Sequence, residues 1–127
     1  MHRRHILALP LLLSATPALA HDEGKRGANG GVIGDVGNTH VEVLARDGEI
    51  RVWVLGANDR PVSAAGASGS VVVQAGGRQQ TVRLEQGEGG AYLVGRGDFA
   101  AARGMRVVAN LTLPGQPQRS ARFTPMD

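Results

Sequence analysis

Between Thr39 and Leu55 the chain alternates apolar and polar residues in two runs, THVEVLAR and EIRVWVL, separated only by Asp47-Gly48. A period of two places successive side chains on opposite faces of a strand, whereas a helix would need a period near 3.6. Asp-Gly between two such runs favours a two-residue type I′ turn, because both central residues must take positive φ. The segment is therefore predicted to be a β-hairpin, and much of the downstream sequence repeats its grammar. Ser70 to Ala75 meets Arg78 to Glu85 across Gly76-Gly77, a second hairpin. Gly31 to Val36, Ala91 to Val94, Met105 to Leu113 and Gln118 to Phe123 are further candidate strands, the last two turned by Pro114-Gly115. Met105, Val107, Ala109, Leu111 and Leu113 fall on one face. Only Phe99 to Arg103 has the spacing of a helical turn. About eight short strands at regular turn spacing predict an all-β fold, a single antiparallel β-sandwich, immunoglobulin-like or similar.

The first twenty residues have a different character. MHRRH is a short basic start, ILALPLLLSATPALA is apolar, and Ala18-Leu19-Ala20 is a small-x-small ending. The apolar run is shorter than the roughly 20 residues a spanning helix requires, so residues 1–20 are expected to be a cleaved secretory signal peptide. The polar stretch 21–29, HDEGKRGAN, is then the flexible start of the exported protein, and 30–125 the sandwich domain. Secretion through the Sec pathway to the periplasm follows as the expected localisation.

Placing the charge along the chain alters its meaning. The full sequence of 127 residues carries +3, but Arg3 and Arg4 leave with the signal, so 12 basic residues face 11 acidic ones. A net +1 gives little reason to expect a nucleic-acid partner. There is no Cys, which excludes disulfides, thiolate zinc sites, a Cys nucleophile and a lipid-anchored Cys. Any metal must be held by nitrogen and oxygen, and only His21 and His40 remain to supply imidazole after cleavage.

A two-residue turn at 47 and 48 sets the register of the first hairpin. It pairs Arg46 with Glu49, Leu44 with Arg51, Glu42 with Trp53 and His40 with Leu55. Val41, Val43, Ala45, Ile50, Val52 and Val54 then form the core face. The opposite face carries His40, Glu42, Arg51 and the only Trp. Two readings stay open. In one, Glu42 and Arg51 are diagonal surface charges and Trp53 caps the sheet. In the other, His40 and Glu42 belong to a metal site of the kind imidazole and carboxylate form with Cu(II) or Zn(II). Cleavage after Ala20 would let the α-amine and Nδ1 of His21 chelate one ion together, with His40 as a further nitrogen and Asp22 or Glu42 as oxygen donors.

Other motifs carry less. Arg96-Gly97-Asp98 is read as a turn, and Gly30-Gly31-x-x-Gly34 lacks the strand and helix that a nucleotide fingerprint requires. No Ser sits in a nucleophile elbow, so the protein is expected not to be an enzyme.

Gly30-Gly31, Gly37-x-x-His40-Val41-Glu42-Val43, Arg60-Pro61-Val62, Leu111-Thr112-Leu113-Pro114-Gly115 and Ala121-Arg122-Phe123 occur in an order that resembles small periplasmic proteins found beside heavy-metal efflux systems. It is also similar to the extra β-domain of some periplasmic adaptor subunits of metal-exporting resistance-nodulation-division pumps. The resemblance spans roughly residues 30 to 125. It implies a β-sandwich accessory domain in the homeostasis of a metal such as copper, silver, zinc or cobalt, with a periplasmic efflux-pump component as partner and His40 and Glu42 on the family's His-x-Glu. Relatives often carry an acidic-His pair before Lys-Pro-Val. Here that stretch is Gly56 to Val62, with Asp59 but no His. The rival expectation is a structural or protein-interaction module of the cell envelope that uses the Trp53 face or a free sheet edge and binds no metal.

Overall fold

The computed structural model describes residues 25–127. Nine strands appear in chain order: β1 (Val32–Val36), β2 (Thr39–Arg46), β3 (Glu49–Leu55), β4 (Pro61–Val62), β5 (Ser68–Ala75), β6 (Arg78–Gln86), β7 (Leu93–Arg96), β8 (Arg106–Thr112) and β9 (Arg119–Phe123). Of these, β4 is a two-residue strand off the main path, paired to the end of β3. All ladders are antiparallel, in the order β1-β2-β3-β7-β6-β5-β8-β9. The strands divide into two layers joined through β6. Its residues up to Leu84 pair with β5, and its last two, Glu85 and Gln86, pair with Val94 and Leu93 of β7. At the opposite seam β1 packs against β9 without pairing, so the sheet is nearly closed as an antiparallel β-sandwich.

The first hairpin has the expected register: Arg46 opposes Glu49, Leu44 opposes Arg51 and Glu42 opposes Trp53. Its turn differs from expectation. Gly48 has φ +72°, but Asp47 does not take positive φ, so the turn is not type I′. Contacts to a neighbouring segment account for this. The Asp47 carboxylate accepts the Ala101 N–H, while Gly48 donates to the Phe99 carbonyl and accepts from the Gly97 N–H. The expected helical turn over Phe99 to Arg103 does not form: the Phe99 carbonyl and the Ala101 N–H bond across to the hairpin, and the one bond along the chain here is a turn from the Met105 N–H to the Ala102 carbonyl. Single 3-10 turns occur instead at Ala57–Asp59 and Glu88–Gly90. At Gly76-Gly77 both residues have positive φ, as the second hairpin requires.

Val41, Val43, Ala45, Ile50, Val52 and Val54 face the interior as their alternation predicts, and Val71, Val73, Val82, Leu84, Leu93 and Phe123 join them. Met105, Val107, Ala109, Leu111 and Leu113 are all buried on one face. Small β-branched and aliphatic side chains suit two closely packed layers. Residues 25–31 straddle the expected domain boundary at residue 30. They fold back beside β1: Arg26 bridges to Val32, the Ile33 N–H donates to the Lys25 carbonyl, and Gly27 and Gly31 bond to each other.

Candidate functional site

His40 stands near the start of β2, on the face away from the core. The Gly37-Asn38 turn places Asp35 of β1 directly opposite it. Cross-strand neighbours have Cβ atoms about 4.5–5.5 Å apart, and here the Asp35 Oδ1 lies 3.0 Å from the His40 Nε2. A second carboxylate comes from the 3-10 turn that follows β3. Asn58 and Asp59 both take left-handed backbone angles there, φ 57° and 56°, a conformation that Asn and Asp tolerate better than other non-glycine residues. It directs the Asp59 Oδ1 to within 2.7 Å of the His40 Nδ1. The other Asp59 oxygen lies 3.8 Å from the Lys25 Nζ.

Each ring nitrogen of His40 therefore faces a carboxylate oxygen. A neutral imidazole has one N–H and can donate to only one of them, whereas the imidazolium can donate to both. The hydrogen bond to Asp59 is the main reason the His40 pKa is raised above 6.5. The negative charges of Asp59 and Asp35 add to the effect, and desolvation and Lys25 oppose it. The same hydrogen bond lowers Asp59 below its ordinary value. The imidazole is half exposed, so the whole cluster is open to solvent and to solutes.

Glu42, two residues along the same strand face, has a different environment. Its side chain is completely buried. Oε2 accepts the N–H groups of Gly31 at 2.7 Å and Asn29 at 3.0 Å, and Oε1 accepts the Asn29 Nδ2 at 3.1 Å. Both oxygens are thus occupied in holding residues 25–31 against the sheet, and Glu42 shares no partner with His40. Trp53 is also buried, 8% exposed, with its ring centroid 5.6 Å from that of Tyr92. The Arg51 guanidinium lies 4.6 Å above Tyr92 and pairs with Glu49. Glu42 and Arg51 are accordingly not the diagonal surface pair that the bare alternation suggests.

The donor chemistry around His40, one imidazole and carboxylate oxygens, suits Cu(II) or Zn(II). An ion at Nε2 would have Asp35 beside it, and an ion at Nδ1 would have Asp59. Among the described residues, no three His, Cys, Asp or Glu side chains converge to hold one ion. His21 and Asp22 lie outside the described residues, as does the signal peptide expected over residues 1–20. Asp35 is the partner that sequence reasoning missed. The two-residue turn Gly37-Asn38 carried the signal, because it pairs Asp35 with His40 as surely as Asp47-Gly48 pairs Arg46 with Glu49.

No protein-family model matches the chain, and no curated protein or solved structure is significantly similar to it.

Proposed function

We propose that the chain is an exported, non-enzymatic accessory of heavy-metal homeostasis or efflux, working in the periplasm beside a pump component and binding Cu(II) or Zn(II) through His40. The observation behind this reading is the half-exposed His40, with a carboxylate at each ring nitrogen. Lys25 adds support: its ammonium reaches the same Asp59, so the chain enters the fold beside this cluster. The four residues back to His21 span at most about 14 Å when extended. An α-amine and imidazole from His21, with Asp22, are therefore within chain reach of His40 as further donors. Glu42 belongs to the site only as the anchor that holds residues 25–31 in place.

The test is Cu(II) titration of protein whose N-terminus has been verified by mass spectrometry to begin at His21. Trp53 fluorescence and electron paramagnetic resonance would be followed in the parent and in the His21→Ala/His40→Ala double variant. The expected result is one saturable ion per chain with nitrogen and oxygen donors, lost in the double variant. Equal titration of the two proteins, or no binding by either, would sink the reading and leave an envelope interaction module that binds no metal.

A further inference from the structure

The end of the β5, β6 and β8 layer carries a second constellation, independent of His40. A groove of about 440 Å³ lies between the Gly76-Gly77 turn and the Ala102–Gly104 loop, and Arg78, Arg103 and Arg106 line it with no acidic residue among the lining side chains. The three guanidinium groups come from different elements. Arg78 opens β6 opposite Ala75, Arg106 opens β8 opposite Gln74, and Arg103 stands in the loop between β7 and β8. Gln74 also opposes Gln79, and their side chains are hydrogen-bonded at 2.8 Å, so a row of amides continues from Arg106. Gly76, Gly77 and Gly104 all have positive φ, and nothing lies within 4 Å of where their Cβ atoms would be. At Gly76 and Gly77 the rim is bare backbone that a ligand can approach closely, while the Gly104 N–H already donates to the Asp127 carboxylate at 2.8 Å.

The charge at this groove is compensated only in part, by the Asp127 carboxylate at the Gly104 edge and by one exposed ion pair. Arg78 has one ion pair, to Asp98 at 3.7 Å, and both side chains are largely exposed, so it is weak. Among the described residues Arg103 and Arg106 form no salt bridge. Residues 25–127 hold twelve Lys and Arg against nine Asp and Glu. That excess of three equals the charge of the groove arginines alone. Planar guanidinium forks match the oxygens of phosphate with paired hydrogen bonds, and several together favour an anion carrying more than one negative charge. We infer that this groove is a binding site for a phosphate-type oxyanion, held by Arg78, Arg103 and Arg106. Such an anion can arrive free or as the head group of an anionic lipid.

The test compares the parent with two charge-matched variants at about 0.15 M salt, where long-range attraction is largely screened. One variant is Arg78→Gln/Arg103→Gln/Arg106→Gln in the groove. The other is Arg60→Gln/Arg83→Gln/Arg119→Gln, which removes the same charge from exposed positions outside the groove lining. Inorganic pyrophosphate is titrated calorimetrically, and vesicles containing phosphatidylglycerol are tested by co-sedimentation. The groove variant is expected to bind at least tenfold more weakly while the control variant binds as the parent does. Pyrophosphate binding supports the site with a free anion as ligand, and binding to vesicles alone supports it with a lipid head group. Absence of binding to both probes by the parent, or equal weakening in the two variants, overturns the inference. Thermal unfolding of each variant establishes that it is folded.

Discussion

The buried carboxylate of Glu42 occupies the space that a side chain on Gly27 would need: a Cβ built there overlaps the carboxylate carbon and both oxygens. The glycine lets residues 25–31 close over a charge that would otherwise face water, and the N–H groups of Asn29 and Gly31 replace that water. Removing the acceptor strands the buried Gly31 donor, at about 1–3 kcal/mol, and frees the more exposed Asn29 groups at smaller cost. Glu42→Ala is thus expected to destabilise the fold by a few kcal/mol in urea unfolding, and Gly27→Ala by roughly 1–3 kcal/mol through overpacking. Both should speed amide exchange at Asn29 and Gly31 far more than at Val107 or Leu111. Unchanged exchange at those two amides would count against the capping role of Glu42.

The His40 cluster predicts a pH profile. The His40 pKa is raised in the folded chain, so its contribution to stability is fully present below 6.5 and is lost as pH rises through the folded value. Asp59 is shifted down, so its contribution is present above 3.8 and is lost as pH falls through its folded value. The favourable window therefore runs between these two ordinary values, with a small amplitude because the groups are solvated. An NMR titration should place the His40 midpoint above 6.5 in the parent. Asp59→Asn should bring it down toward 6.5, since the hydrogen bond to Asp59 is the largest cause of the shift. Asp35→Asn should move it down by less. An unmoved midpoint in the Asp59 variant would contradict the assigned geometry.

The strands and the two hairpins were legible because alternation and turn glycines are local signals: Val41, Val43 and Ala45 declare their face without reference to the rest of the chain. The environment of Glu42 was not legible. Alternation says only that it points away from the main core, and what covers that face comes from residues 25–31, a polar segment with no periodicity. Asp59 joins His40 across nineteen positions through two left-handed residues, which no spacing rule anticipates. Asp47 shows the same limit at a turn. Asp-Gly has the composition of a type I′ turn, but bonds from the Asp47 carboxylate and the Gly48 backbone to residues 97–101 decide its conformation.

The unpaired seam between β1 and β9 rests on a close approach at Gly34. A Cβ there would run into the Phe123 ring, which is buried and plugs this side of the sandwich. Gly34→Ala should cost about 1–3 kcal/mol by forcing the ring aside, and Phe123→Leu should cost a similar amount by leaving a gap. In the double variant the smaller residue makes room for the new methyl group. The combined loss is therefore expected to fall at least about 0.5 kcal/mol short of the sum of the two single losses. Strict additivity in chemical denaturation would show that the two residues do not share this space.

Gln86 joins the two layers from the last position of β6. Its Nε2 donates to the carbonyls of Ala64 at 2.9 Å and Ala67 at 3.1 Å, both residues being buried. Gln86→Ala removes both donors and should cost about 1–3 kcal/mol. Gln86→Glu is the sharper probe, because it keeps the shape and places an anion against two carbonyl oxygens. The introduced carboxyl should have a raised pKa in the folded state, so the folded chain binds its proton more tightly than the unfolded chain does. Stability relative to the parent should therefore recover as pH falls through that raised value, when the protonated acid can again donate one hydrogen bond. Urea unfolding at pH 7 and pH 4 measures this directly. A deficit that stays constant between the two would mean that the side chain does not face those carbonyls.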